Sequence, residues 1–356
     1  MFESLPELLE PQDPNLVPPF PGSVLKLIGP KSPFLKKGKV WPLLAYKGNQ
    51  PVGRIAAIVN GAHNEFYQDK TGFFGFFDFV DDKEVAEKLI QEATRILKRE
   101  GMTSLRGPYN PSVNDECGLL VDGFQSPPMI MMPYNPPYYE KMYEELGLRR
   151  VRDLFAYYLG ANAIVPEKLK RVADRVRKRS GITFRNIEIS RLDEELCAIK
   201  DLYNSTLKRN WGFVPITFED LKFAAEDLKQ ILDPEFVMIA EKEGKPVGFS
   251  MLLPNINELL LKAKNRKGLF RILKFVWLLK TKTPKEARLA VLGVKPEFEN
   301  LGIPAVFYFE SFERGKKKII GGELSWIEET NIPMIRSLEL MGAEKYKTYR
   351  IFEAPL

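Results

Sequence analysis

The sequence predicts an α+β (mixed α/β) protein built from two copies of one module, on three observations. The chain has 356 residues, more than one ordinary core fills. Two unrelated landmarks recur at nearly one offset, and strand-like and helix-like stretches follow each other in the same order around both. Ala45-Tyr-Lys-Gly-Asn-Gln-Pro51-Val52-Gly53 matches Ala240-Glu-Lys-Glu-Gly-Lys-Pro246-Val247-Gly248 at an offset of 195. Tyr134-Asn135-Pro-Pro137 matches Thr330-Asn331-Ile-Pro333 at 196, and each leads into a helical pattern closed by glycine, Gly147 or Gly342. Two landmarks at one spacing mark a duplication.

Periodicity gives the elements of the second copy in order. Ile182–Ile189 is expected as a strand, Leu192–Lys208 as a helix, and Phe236–Glu241 with Val247–Leu253 as a hairpin about Glu-Gly-Lys. Ala287–Val294 is a near-continuous apolar run, the mark of a buried strand. A helix over about 302–316, a strand at Gly322–Ile327, a helix at Pro333–Met341 and a last strand at Tyr346–Phe352 complete it. The first copy supplies Val52–Val59, Gly72–Val80, the helix Asp82–Arg99, Ser104–Gly107 and Val151–Leu159. Its opening strand is missing, because Met1–Phe20 is short and proline-rich. The boundary falls near Ala161–Pro166, giving domains 1–163 and 164–356.

Composition narrows the class. At 44% hydrophobic and 28% charged residues, the chain is ordinary globular material and not a disordered one. Cys117 and Cys197 are too few for a disulfide framework, and with His63 as the single histidine a Cys/His zinc site is excluded; no metal is expected. Met1–Glu10 shows no signal-peptide pattern, and no run reaches the ~18 apolar residues of a spanning helix. The expectation is a cytoplasmic protein of a reducing compartment.

The formal charge of +6 is concentrated. Glu258–Arg288 holds ten basic and two acidic residues, a local +8, and the remainder of the chain comes to −2. A nucleic-acid footprint would be broader, so no nucleic-acid partner is expected. On one helix, Lys264, Lys267, Arg271 and Lys274 would form a cationic stripe beside Leu269, Ile272, Leu273, Val276, Trp277 and Leu279. Lys267, Arg271, Lys274 and Trp277 are therefore expected to touch a membrane surface, peripherally on its inner face. A core-packing helix with solvated Lys and Arg is the competing reading.

The strongest motif is Val291-Leu-Gly-Val294-Lys-Pro296-Glu-Phe-Glu299-Asn-Leu-Gly302-Ile-Pro304-Ala305. A buried strand enters a glycine turn that opens a helix, an arrangement suited to a pyrophosphate. With Asn331 and, eleven residues on, Gly342, it resembles the GNAT acyltransferase superfamily. Val294, Pro296, Gly302, Asn331 and Gly342 match that pattern. Glu299 stands where the superfamily has Arg or Gln, Pro304 stands where it has a small residue, and Leu338 stands where it often has a tyrosine acid. The resemblance implies two tandem domains, each a mixed, mostly antiparallel twisted sheet flanked by helices. It implies acyl-CoA as co-substrate in the second domain, at Val294, Glu299, Asn300, Leu301, Gly302, Ile303 and Asn331. In the first copy the equivalent helix opens with Asp81-Asp82, poor hosts for a pyrophosphate, so no CoA site is expected there.

PVGRIAAIVN, HNEFYQDKTGFFGFFDFVDD, RGPYNPSVNDECGLLVDGF, MMPYNPPYYEKMYEELG, NWGFVP, ELSWIEETN and YKTYRIF resemble the bacterial ceramide-synthase-like GNAT family over nearly the whole chain. That resemblance implies transfer of a fatty acyl group from acyl-CoA to the amine of a long-chain base, 3-oxosphinganine being the expected acceptor.

Amide formation from a thioester needs a neutral amine, a stabilised oxyanion and a protonated thiol. A backbone N–H of the Ala287–Val294 strand would serve the oxyanion. His63, in a polar loop, and Glu116 are the candidate bases. Asn110 and Asn114 in a polar loop, Tyr138 beside Met129, Met131 and Met132, and Trp211 in NWGFVP are candidate substrate contacts, with turn formation or core packing as the alternative. Three other functions stay open: a small-amine or amino-acid N-acetyltransferase, an aminoacyl-tRNA-dependent ligase, and a non-catalytic acyl-CoA or membrane-binding protein.

Overall fold

The computed structural model describes residues 1–356. In chain order the main elements are strand β1 (Gly38–Lys47), β2 (Gln50–Asn60), helix α1 (Gly61–Tyr67), β3 (Thr71–Phe79), α2 (Lys83–Arg99) and β4 (Ser104–Gly107). Then come α3 (Tyr139–Glu145), β5 (Arg149–Gly160), α4 (Glu167–Arg179), β6 (Ile182–Asn186), α5 (Leu192–Thr206) and α6 (Phe218–Leu228). The remainder is β7 (Val237–Lys242), β8 (Lys245–Pro254), α7 (Asn257–Ala263), α8 (Gly268–Thr281), β9 (Glu286–Val294), α9 (Ile303–Gly315), β10 (Gly321–Glu328), α10 (Ile332–Leu340) and β11 (Glu344–Pro355).

The chain forms two compact units that are not its linear halves. Met1–Leu154, Asn257–Lys282 and Lys347–Leu356 make unit 1; Phe155–Ile256 and Thr283–Tyr346 make unit 2. This departs from a single cut at 163/164. Strands β5 and β11 each begin in one unit and end in the other, and the α7–α8 insertion of the second copy packs with the first. A reading by sequence position alone cannot foresee either exchange.

In unit 1, β1–β2 and β2–β3 pair antiparallel, while β3 pairs parallel with β4 across the helix α2. The end of β11 closes the sheet against β4 (Phe352↔Gly107). Helix α2 lays Val85, Ala86, Leu89, Ile90, Ala93 and Leu97 on Ile55, Phe74 and Phe79; apolar residues at spacings of three and four make one buried stripe.

In unit 2, β6–β7–β8–β9 are antiparallel and β9 pairs parallel with β10. Alternation along β7 separates the two faces. Met238 and Ala240 join Ala173 and Val176 of α4 and Val306 and Phe307 of α9; Val237 and Ile239 join Leu202 of α5. The duplication extends to fine geometry. The β1–β2 hairpin bulges between Ala45 and Tyr46, with Ala45 opposite Gly53 and Tyr46 opposite Pro51. The β7–β8 hairpin bulges at the equivalent place, with Ala240 opposite Gly248 and Glu241 opposite Pro246. Proline has no N–H for the ladder, which fits its position just past each bulge.

One expected loop is a helix. The Asn60 side chain accepts from the His63 backbone N–H and caps α1, so the expected polar loop around His63 is one short helical segment.

Candidate active site

The site is built in unit 2 where β9 ends. The Lys295 N–H donates to the Val247 carbonyl (2.8 Å), Pro296 opens a short 3₁₀ turn over Pro296–Leu301, and Gly302 at φ +80° turns the chain into α9. Only glycine adopts that angle cheaply. A Cβ on Gly302 would lie 3.0 Å from Val172 Cγ1 and 3.2 Å from Val176 Cγ2, so the turn's backbone is held tightly against α4.

The electrostatics of the turn have two sources. Pro304 contributes no N–H, the Ala305 N–H donates to the Gly302 carbonyl at 3.0 Å, and Glu297 and Glu299 are exposed beside it. Against these stands α4, which carries seven basic residues and two acidic ones. Its Val172 and Val176 touch the turn, and at helical spacing Lys168, Arg175 and Arg179 flank them. The positive charge suited to a phosphate thus comes from the neighbouring helix and from Lys295, which leads into the turn.

Beyond the turn the sheet opens. β9 keeps its antiparallel pairing with β8 as far as Val294↔Gly248, but its parallel pairing with β10 runs only from Glu286↔Gly321 to Leu289↔Leu324. From Ala290 to Val294 the edge turned away from β8 has no strand partner. Backbone groups there can receive an extended amide-bearing chain and an oxyanion. Under α9 lies an apolar pocket of about 620 Å³, counting its open mouth, lined by Leu169, Leu252, Leu289, Tyr308, Leu324 and Met341 among others.

Leu338 is fully buried in the α9–α10 core, so that position supplies no proton. Tyr308 of α9 belongs to the same cluster, and its hydroxyl lies 2.6 Å from Met334 Sδ at the start of α10. Burial pushes the Tyr308 phenol well above its ordinary pKa, which keeps its proton in place. The superfamily's tyrosine position, seven residues after Asn331, is Leu338; the Tyr308 phenol lies on the facing helix.

A polar cluster that the sequence reading missed sits where β9 and β10 part. Arg288, 3% exposed, donates from Nε to Ser325 Oγ (2.8 Å) and from a terminal nitrogen to the Ser325 carbonyl (3.2 Å), and lies over the Trp326 ring. Ser325 Oγ donates to one oxygen of Glu323, which is fully buried, and the Tyr346 hydroxyl donates to the other. Arg288 stands 3.7 Å from Glu323, and Tyr158 donates to Glu286 at 2.9 Å. A buried pair persists when its remaining hydrogen-bonding capacity is met, as here. The available signal was Arg288 and Glu323 interrupting two apolar strands.

The sequence candidates fall in both units. Asn331 caps α10 by accepting from the Met334 N–H (3.3 Å); Val294 and Ile303 are buried, while Glu299, Asn300 and Leu301 are exposed on the turn. Trp211 is half-buried in unit 2 near the stacked pair Tyr203–Phe213.

The remaining candidates lie in unit 1. His63 is 3% exposed, packed against Tyr67 and Phe73, 3.5 Å from Asp69. Burial, only partly offset by Asp69, lowers its pKa to about 4, so it is a weak base at neutral pH. Asn110 Oδ1 accepts the Phe76 N–H (2.6 Å), Asn114 lies in the turn organised by Ser112 and Asp115, and the Tyr138 hydroxyl donates to the Phe79 carbonyl (2.6 Å). Asn110 and Tyr138 thus each bond to the backbone of β3. Glu116 is exposed on a two-residue strand opposite Asn110.

The cationic stripe does not form. The helix breaks between Ala263 and Gly268; the Lys264 ammonium donates to the Asp13 carbonyl, Arg271 is buried and paired with Glu7, and Lys274 donates to Asn265. Lys267 and Trp277 are exposed as expected. No helix is long and apolar enough to cross a membrane, and no group of His, Cys, Asp and Glu is placed to hold a metal.

Each unit repeats one strand–helix–strand plan, with a glycine turn and a parting sheet in the second. That is the architecture of a tandem GNAT acyltransferase, a class that generally uses acyl-CoA. The tandem GNAT protein of the clavulanic acid biosynthesis pathway, solved without acetyl-CoA, superposes with a TM-score of 0.58 at 12% identity, over 99% of this chain and 92% of its own. The glucosamine N-acetyltransferase region of a fungal multidomain β-N-acetylglucosaminidase gives 0.53 at 14%, over 88% of this chain and 33% of its own. No family model matches the sequence.

Full-length relatives narrow the class. The chain is 34% identical over 365 residues to the bacterial ceramide synthase of Caulobacter vibrioides, covering 100% of this chain and 94% of that protein. It is 35% identical over 359 residues to Protein YghO of Escherichia coli K12, covering 99% and 91%. The chain belongs to the bacterial ceramide synthase family of GNAT-fold N-acyltransferases.

Proposed function

We propose that this protein transfers a fatty acyl group from acyl-CoA to the primary amine of a long-chain base, at a site in unit 2. The observation that carries the proposal is the parting of β9 from β10 beside the Gly302 turn, in a chain aligned end to end with a ceramide synthase. The turn and the basic α4 would hold the phosphates, and the open edge of β9 the pantetheine amides and the developing oxyanion. The apolar pocket under α9 suits the start of a fatty chain.

The amine nitrogen attacks the thioester carbon, the C–S bond breaks, the ammonium proton leaves to a base and the thiolate takes a proton. Tyr308, held protonated between α9 and α10, is the proposed acid. Both candidate bases belong to unit 1, where Glu116 is exposed and His63 is buried and weakly basic, and neither is assigned to the unit 2 site. Trp211 is retained as a proposed acyl-chain contact. Unit 1 has no equivalent phosphate turn: Asp82 caps α2 and pairs with Lys47. A long-chain base resides in a bilayer, so the enzyme is proposed to work peripherally at the cytoplasmic membrane surface.

The test is CoA release by purified protein with palmitoyl-CoA and 3-oxosphinganine, set against acetyl-CoA with small amines. Release with the first pair alone is expected. Release with the second pair would assign a small-amine acetyltransferase.

A further inference from the structure

Helix α8 shows solvent a face that the chain itself does not cover. Leu269, Phe270, Leu273, Val276 and Trp277 are 66, 73, 56, 40 and 58% exposed. At 3.6 residues per turn these five fall within an arc of roughly 120°. The opposite face is anchored. Arg271, Phe275 and Leu278 are buried; Arg271 pairs with Glu7 and donates to the Arg266 carbonyl (2.8 Å), and the Phe275 ring packs 5.4 Å from Phe20. The ridge is therefore fixed in place within unit 1. Most isolated surface apolar residues need no partner, but five large ones on one helix face do.

The charges around the ridge select the partner. Lys262, Arg266 and Lys267 are exposed before the helix and Lys280 and Lys282 at its end, and α8 contains no carboxylate. A second copy laid antiparallel on this face would bring Arg266 and Lys267 against Lys280 and Lys282, a like-charge contact. An apolar ridge bearing Trp and Phe with cations at both ends suits the headgroup boundary of an anionic bilayer. We infer that unit 1 docks on anionic membrane surfaces through this face of α8. Its apolar side chains enter the interface, and Lys267 and Lys280 meet the lipid headgroups. The docking element is thus the ridge itself, and Arg271 is the strut that orients it. This inference rests on exposure and charge alone and not on the assigned reaction.

The test is flotation of the full-length protein with vesicles of phosphatidylcholine containing phosphatidylglycerol, beside pure phosphatidylcholine. Wild-type protein is expected to float with the anionic vesicles, less so at high salt. Phe270→Ser with Trp277→Ser is expected to abolish flotation while melting as wild type, since both side chains are exposed. Lys267→Gln and Lys280→Gln are each expected to lower affinity roughly fivefold. Undiminished flotation of the folded Phe270→Ser/Trp277→Ser variant would overturn the inference. So would equal binding to neutral vesicles, or a wild-type dimer that this variant dissociates. Turnover with detergent-dispersed substrates separates the two proposals: docking variants are expected to keep it, whatever the acceptor proves to be.

Discussion

Replacing Gly302 by valine tests the proposed phosphate turn most sharply. The native φ of +80° costs a non-glycine residue about 1–2 kcal/mol, and a β-branched side chain more. The new Cβ would also sit 3.0 Å from Val172 Cγ1 and 3.2 Å from Val176 Cγ2, inside the ~3.5–4.0 Å optimum for carbon atoms. The chain escapes both by relaxing the turn to negative φ, which swings its N–H groups away. Since about 1.4 kcal/mol is tenfold, the dissociation constant for CoA is expected to rise about tenfold or more by calorimetry. Gly48→Ala in the β1–β2 turn is the control. Its φ is +57° with nothing within 4 Å of the added atom, so it carries backbone strain without touching the turn. Unchanged CoA affinity in folded Gly302→Val, or an equal loss in Gly48→Ala, would refute the assignment.

Other outcomes follow from the same geometry. Tyr308→Phe is expected to lower kcat about 10²-fold with KM for acyl-CoA little changed, the range for losing a general acid; steady-state kinetics decide it. Arg288→Met leaves Glu323 buried without its guanidinium and is expected to cost about 3–5 kcal/mol in urea unfolding, with much of that recovered in Arg288→Met/Glu323→Leu. His63 stays neutral in the fold down to pH about 4 but takes a proton near 6.5 when unfolded. Its contribution is therefore complete above pH 6.5 and falls away between 6.5 and 4, by on the order of 3 kcal/mol in total. His63→Phe is expected to flatten the melting temperature between pH 6.5 and 5 and to keep turnover at pH 7.5; a persistent slope would place its source elsewhere.

Elements built from local pattern were legible in the sequence. The β7–β8 hairpin turn, the strand Glu286–Val294 and the helix Ile303–Gly315 follow from turn residues and periodicity. What was not legible depends on distance. Arg288 meets Ser325 across 37 positions and Glu7 meets Arg271 across 264, pairings that no local period encodes. The helix at His63 hinged on one capping bond from Asn60. The break before Gly268 turned an expected cationic stripe into anchors and an apolar ridge, because Lys264 and Arg271 found partners within unit 1.

The central claim is fatty N-acyl transfer, and free-CoA release with matched substrate pairs tests it most directly. With palmitoyl-CoA and 3-oxosphinganine in mild detergent, stoichiometric release of CoA and appearance of the amide are expected, with acetyl-CoA and small amines inert. Turnover confined to acetyl-CoA and small amines, or tight acyl-CoA binding with no turnover of either pair, would contradict the account.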